Sequence, residues 1–185
     1  RHDDVFRVMY VGAMSLQKGV HYLLEVFADL QLSDSELLLV GGMTDQMRPF
    51  FKKYEGTYRW LGWRPQRELY AYYEQSSVFV LNSVQDGFGI VMLQAMACGL
   101  PVISTVNTGG PDIIEEGVDG FCIPIRRNDL LAERLLYLYD NQQEAQRMGA
   151  RACAKVQALS ASHESPEKLM NFYEDIAREG RGGRG

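Results

Sequence analysis

Apolar and polar positions along this chain change period repeatedly. Val5 to Val11 is a short, nearly continuous apolar run of strand type, and after Lys18-Gly19 the residues Val20, Leu23, Leu24, Phe27 and Leu30 fall at helical spacing. This predicts a strand, a loop and a helix. The strand signal returns at Leu37 to Val40, Tyr58 to Leu61, Val78 to Leu81, Pro101 to Ser104 and Gly120 to Ile123, with helical stretches such as Arg67 to Gln75 and Gly89 to Cys98 between them. Strands alternating with helices predict an α/β fold, a Rossmann-like parallel sheet with helices on both faces. From Asn128 to Ile176 the pattern is entirely helical: Leu130, Leu131, Leu135 and Leu138, then Ala145 to Leu159, then Leu169 to Ile176 after Ser165-Pro166. The expected organisation is one domain over 1–178 and a tail over 179–185, whose GRGGRG composition cannot bury a core and predicts disorder.

Composition narrows the function classes. With 185 residues, 46% of them hydrophobic, the chain can bury one good core and is too short for two ordinary domains. A net charge of −5 and a pI near 5.2 argue against a nucleic-acid surface, which needs a basic face. Cys98, Cys122 and Cys153 are odd in number and lack C-x-x-C spacing, so buried free thiols in a reducing, cytoplasmic setting are expected. The longest apolar run is broken by Gln94, Gly99 and Pro101, well short of the ~20 residues of a membrane helix. His2, His21 and His163 show no metal-ligand spacing, and no D-x-D motif occurs, so no metal is implied. The opening RHDD, without Met or a signal-peptide pattern, is expected of a fragment beginning inside a longer protein.

The most informative stretch is NSVQDGFGIVMLQAMACGLPVI, from Asn82 to Ile103. A polar turn carries Gly-Phe-Gly, an apolar helical run ends at Gly99, and a strand begins at Pro101. Gly87 and Gly89 let the backbone approach a ligand closely. The helix behind them offers free amides and the positive end of its dipole, which favour an anion such as a diphosphate. Open α/β sheets bind ligands at the carboxyl ends of their strands, and this loop follows a predicted strand.

The same stretch resembles the signature of the retaining GT-B glycosyltransferases called group 1 or family 4, E-G-F-G-x-x-x-x-E-A-M-A-x-G-x-P-V-I, with Asp86 and Gln94 at the two glutamate positions. Other landmarks occur in order: VGAMSLQKGV from Val11 to Val20, LLLVGG from Leu37 to Gly42, RWLGWRPQRELYAYYEQSSVFVLNS, and NTGGPDIIEEGVDGFCIP. The likeness covers about Phe6 to Ile176 and implies the C-terminal, nucleotide-sugar-binding half of a GT-B enzyme. The last helix of that fold crosses back onto the N-terminal domain, which would leave Phe172, Tyr173 and Ile176 without their partner here.

The resemblance also implies roles. Lys18, in the loop begun by Gly12, would stabilise the departing diphosphate; its plain alternative is a solvated loop lysine. The family's arginine after the loop glycine is replaced by Ala13, so one phosphate cation is lacking, and Arg64 or Arg7 would have to substitute in space. Asp86 would contact the donor sugar or its phosphate environment, or serve merely as an N-cap or turn residue. Gln94 would grip the ribose hydroxyls through an amide in place of a carboxylate, or be a surface residue of its helix. Phe88, Gly89 and Ile90 would act through their backbone. Trp63 and Arg64 match the loop that contacts the nucleobase, with Trp63 either a stacking platform or partly buried packing. Asp112 in the Gly-Gly-Pro-Asp turn would start a helix from Asp112 to Glu116. Of Tyr70, Tyr72 and Tyr73, part is expected to be exposed.

Taken together, the resemblance implies a hexosyl-type transferase of the EC 2.4 class. It would move a sugar from a nucleoside diphosphate donor, UDP- or GDP-linked, to an acceptor hydroxyl with retention of configuration. No cofactor beyond the donor is required. The acceptor would bind a separate N-terminal GT-B domain, through which peripheral membrane association could arise, and this domain alone would be inactive in transfer. The rival reading is a degenerate, non-catalytic relative that binds a nucleotide sugar or a protein. A third is another enzyme of GT-B shape, such as a UDP-sugar epimerase, or an unrelated doubly wound domain.

Overall fold

The computed structural model describes residues 3–162. The helix expected over Leu169 to Ile176, the tail, and His2 and His163 lie outside the described residues, as does the domain limit at 178. Six strands form one parallel sheet: β1 Phe6–Val11, β2 Ser35–Val40, β3 Arg59–Trp60, β4 Val78–Leu81, β5 Val102–Thr105 and β6 Gly120–Ile123. Their spatial order is β3-β2-β1-β4-β5-β6. The central strands are buried along nearly their whole length, which is why they read as continuous apolar runs rather than alternating ones. In register, Val8 lies beside Leu37 of β2 and Val78 of β4.

The helices are α1 Val20–Leu30, α2 Arg48–Lys53, α3 Gln66–Gln75, α4 Ile90–Ala97, α5 Gly110–Ile113, α6 Asn128–Asp140 and α7 Gln142–Ser162, with a 3-10 turn at Asp45–Met47. The chain runs outward in one direction from β1 to β3 and in the other from β4 to β6. Right-handed crossovers therefore put α1 and α4 on opposite faces, where α1 packs with α6 and α4 with α7. Helix α4 is apolar almost all round because it is covered on both sides, with Met92, Leu93, Ala95 and Met96 all buried. Helix α7 comes close enough behind α4 that a Cβ on Gly149 would stand 1.9 Å from the Gly99 carbonyl oxygen.

Two elements depart from the expected pattern. Helix α2 has no counterpart in the apolar spacing of the sequence: it is only six residues long and shows a single fully buried apolar side chain, Phe51, so it carries no periodicity to detect. The helix expected from Asp112 to Glu116 lies instead over Gly110–Ile113, started by Pro111 in its first turn, and Asp112 caps nothing. Ile114 leaves it in an extended conformation because the chain turns into Glu115–Asp119, where the buried Asp119 Oδ1 accepts the Glu115 N–H at 2.9 Å. The tyrosines of α3 divide as expected, Tyr73 buried and Tyr70 exposed. The three cysteines are free but half-buried rather than fully enclosed.

Candidate functional site

The direction of the connections reverses between β1 and β4, so the loops that leave these two strands open a crevice at the carboxyl edge of the sheet. Three loops are knitted together there. Val84 N–H donates to the Gln17 carbonyl at 2.9 Å, joining the loop after β1 to the loop after β4. Asp86 N–H donates to Asn107 O at 3.1 Å, Asn107 Nδ2 to Val84 O at 2.9 Å, and Thr105 Oγ1 to Ser83 O at 2.5 Å, which ties in the loop after β5.

Close backbone approach fixes this arrangement. Gly19 stands at φ 68°, where a Cβ would lie 2.1 Å from Asn82 O, and Asn82 Nδ2 donates to Gly19 O at 2.8 Å. Buried Asn82, at the end of β4, thus pins the residue after Lys18; sequence reasoning misses its part, since the only signal is a polar residue directly after a strand. Gly12 lies under Gly41, whose Cβ would meet Gly12 O at 1.9 Å. Tyr10 sits beneath the same loop, its hydroxyl donating to Ala13 O at 3.1 Å, and burial with the nearby charge of Asp86 keeps that phenol protonated.

Lys18 and Asp86, each a candidate in its own right, meet: Lys18 Nζ is 2.6 Å from Asp86 Oδ1. Both side chains are largely covered, 25% and 15% exposed, so this is not a solvated surface pair. Asp86 Oδ1 also accepts the Gly87 N–H at 2.8 Å, and Oδ2 accepts the Ser83 hydroxyl at 3.2 Å. The N-cap of α4 is Gly89, at φ 74°, with no side-chain cap, so Asp86 does not cap the helix. Phe88 is buried and Gly89 and Ile90 partly so, which leaves the first amides of α4 at the mouth of the crevice.

Gln94 is half-buried on α4 and accepts the Tyr73 hydroxyl on Oε1 at 3.3 Å. Burial holds Tyr73 protonated, so the phenol is the donor and the amide NH₂ of Gln94 is the part left for a ligand. Gln94 is thus no freely solvated surface residue. Trp63 is 71% exposed, which removes the reading of it as partly buried packing; Trp60 is the tryptophan that is anchored, its Nε1 donating to Gly41 O at 2.9 Å. Arg64 comes directly after Trp63 on the same edge of the sheet, its Nη1 within 3.5 Å of Trp63 O.

Arg7 cannot take the place of the absent cation at Ala13. It lies at the opposite, amino end of β1, held by Asp3 and by Glu36, each at 2.6 Å, and by Gln75 O. Two arginines outside the motif matches do lie on the right edge: Arg126 and Arg127, after β6, border a cavity of about 10 Å³ with Asn82 and Thr105. The signal for them is a basic pair directly after a predicted strand. A wider polar notch of about 480 Å³ between the ends of α6 and α7, lined by residues such as Asp140 and Arg147, contains none of these groups; the converging loops, not that notch, assemble the chemistry. Among the described residues no cluster of three or more His, Cys, Asp or Glu could hold a metal, and no helix is long and apolar enough to cross a membrane.

Chemically, the crevice offers a lysine held by an aspartate, a row of helix amides and an exposed indole, a set suited to an anion attached to a flat ring. A family model described as Glycosyl transferases group 1 matches residues 1–155. The amylovoran biosynthesis glycosyltransferase AmsK of Erwinia amylovora is 25% identical over 183 residues, 92% of this chain and 45% of AmsK. Sucrose-phosphate synthase (tll1590) from Thermosynechococcus elongatus superposes with a TM-score of 0.79 at 26% identity, covering 95% of this chain and 45% of that one. Anabaena Alr3699/HepE, solved in complex with UDP and glucose, is alike in fold, with a TM-score of 0.77 at 21% identity over 97% of this chain and 49% of its own. The chain spans just under half the length of each of these proteins.

Proposed function

This chain belongs to the group 1 glycosyltransferases, with the fold of a GT-B C-terminal half, and we propose that it is the donor-binding domain of a hexosyl-type transferase. The donor is a nucleoside diphosphate sugar, UDP- or GDP-linked, and the sugar passes to an acceptor hydroxyl with retention of configuration. The acceptor belongs to an N-terminal GT-B domain that faces this crevice, and transfer needs both halves to exclude water and align the reactants.

One observation carries the reading: the loop bearing Lys18 and the Gly-Phe-Gly turn at the head of α4 converge where the connections of the sheet reverse. As the sugar–phosphate bond breaks, charge grows on the leaving diphosphate, and Lys18 with the amides of Phe88, Gly89 and Ile90 stabilises it. Trp63 and Arg64 flank the base, Gly12 gives the nucleotide close access to the backbone, and Gln94 offers its amide to the ribose.

Isothermal calorimetry of the chain with UDP, GDP and ADP, and with UDP-glucose because HepE was solved with UDP and glucose, tests the donor site, with Lys18→Ala as control. One preferred diphosphate, bound more weakly by the variant, is the expected result; no binding to any of them would sink the proposal. Retention is read separately, from the anomeric NMR signals of the product made by the two-domain protein. The rival, a binding domain without transfer, is favoured by Ala13 and by the engagement of Gln94 Oε1 with Tyr73. It predicts UDP binding with no product.

A further inference from the structure

The Asp86 carboxylate faces the chain's own donors. Lys18 Nζ and the Gly87 N–H share Oδ1, the Ser83 hydroxyl takes Oδ2, and the side chain is only 15% exposed. A carboxylate so engaged has little left for a sugar hydroxyl. Its negative charge also sits beside the one cation that the loop after β1 offers to a phosphate. The backbone around that cation is fixed, since Lys18 N–H donates to Ser15 O at 3.2 Å and Asn82 holds Gly19. What can move is the lysine side chain.

Resting on the donor-site reading, we propose that Asp86 is a positioning residue, an internal counter-anion that holds the Lys18 ammonium over the turn until the donor diphosphate takes it. Lysine has three N–H donors and a flexible stem, so the exchange requires only rotation of the side chain. The diphosphate carries more charge than a carboxylate and lies against the α4 amides, so it wins the ammonium. Asp86 opposes this exchange and thereby weakens the grip on free nucleoside diphosphate, which favours release of the product.

The charge and the shape can be separated. In Asp86→Asn the carbonyl oxygen still accepts from Lys18 and Gly87, while the negative charge is gone. Asp86 then no longer competes as an anion for the ammonium, and losing the competition of one partly covered ion pair raises affinity for UDP about two- to five-fold. Calorimetry with UDP and UDP-glucose on the wild type, Asp86→Asn, Lys18→Ala and the double variant reads this directly. Tighter UDP binding in Asp86→Asn, with no such gain in the Lys18→Ala background, is the expected outcome. If UDP affinity is unchanged or weaker in Asp86→Asn the proposal fails, and if only the added affinity for the glucose moiety is lost, Asp86 contacts the sugar and the proposal fails likewise. Asp86→Ser, which keeps an oxygen for Gly87, provides the same reading should the asparagine variant not fold. A wild type that binds neither ligand overturns the donor-site reading itself, whereas binding with no change in Asp86→Asn overturns this inference alone.

Discussion

Replacing a glycine in the middle of a helix by alanine ordinarily stabilises it, by about 1 kcal/mol, through lost freedom in the unfolded chain and better helix propensity. At Gly149 in α7 the sign should reverse. The new methyl would lie 1.9 Å from Gly99 O, 2.7 Å from Gly99 C and 3.3 Å from Pro101 Cδ. The nearest atoms are backbone, not the tip of a flexible side chain, so α7 must retreat from the end of α4 by more than about 1 Å to reach ordinary contact. That retreat loosens the packing around Ala145, Met148 and Ala152, all buried. Overpacking costs about 1–3 kcal/mol, and a clash with backbone at 1.9 Å belongs in the upper half of that range, so with the propensity gain of about 1 kcal/mol subtracted a net loss of about 1–2 kcal/mol remains. In a domain of this size the loss lowers Tm by roughly 2–8 °C. Urea denaturation monitored by circular dichroism measures it, with Gly42→Ala as control: nothing lies within 4 Å of a Cβ there, and a neutral result or a gain of about 0.5 kcal/mol is expected. A Gly149→Ala variant at least as stable as the wild type would refute the close α4–α7 contact, and with it the support behind Gln94.

Asn82→Ala should lose about 0.5–1.5 kcal/mol, because it removes one of the two hydrogen bonds that the buried Gly19 carbonyl accepts, the other coming from Tyr22 N–H, and should also weaken UDP binding by freeing the loop of Lys18; unaltered stability in urea would contradict this. Lys155 pairs with Asp119, which is 1% exposed, so Lys155→Met leaves a buried carboxylate uncompensated at about 3 kcal/mol, and adding Asp119→Asn should recover most of the loss; a double variant no better than the single one refutes the pairing. The Cys98 thiol is pushed up to about 11, first by burial and then by Glu74 and Cys153. An acid raised in the native state ionises earlier in the unfolded chain, so the stability it contributes is complete below about pH 9 and is lost as pH rises toward 11. In a Cys122→Ser/Cys153→Ser background the rate of Cys98 with Ellman's reagent should still be climbing steeply between pH 10 and 11; a plateau by pH 10 would show an ordinary thiol.

Much of the fold is legible in the sequence because a parallel sheet covered on both faces makes its strands uniformly apolar. Val78 to Leu81 and Gly120 to Ile123 are placed to the residue, whereas Tyr58 to Leu61 shrinks to the exposed edge pair Arg59–Trp60. Helix α2 leaves no trace because one buried phenylalanine has no period. The members of the candidate site can be named one by one, but not their partners. Lys18 and Asp86 are 68 positions apart and meet only because β4 lies directly beside β1, a pairing set by topology rather than by local pattern. Likewise Arg7 and Ala13 are near in sequence yet belong to opposite ends of a six-residue strand, about 20 Å in length. The carboxyl ends of the strands are the expected ligand edge, but which of the loops there line one crevice is not settled until the reversal point of the sheet is known.

At each of the three departures from the family signature an oxygen of the chain is engaged internally, a backbone oxygen at Ala13 and a side-chain oxygen at the other two. The carbonyl of Ala13 is taken by Tyr10, the carboxylate of Asp86 by Lys18, and the amide oxygen of Gln94 by Tyr73. Where the signature would present two carboxylates and two cations to a nucleotide sugar, this chain lacks a cation at Ala13 and has turned side-chain oxygens of Asp86 and Gln94 onto Lys18 and the buried Tyr73. Buried phenols that stay protonated are donors with fixed direction, so they orient their partners without adding charge to the crevice. On the proposed reading, a diphosphate in such a site would lean on the α4 amides and Lys18 more than on many opposed charges, so a change of one charge is a large share of the total. If the proposed donor site is right, the balance between Lys18 and Asp86, rather than either residue alone, sets how tightly a diphosphate is held.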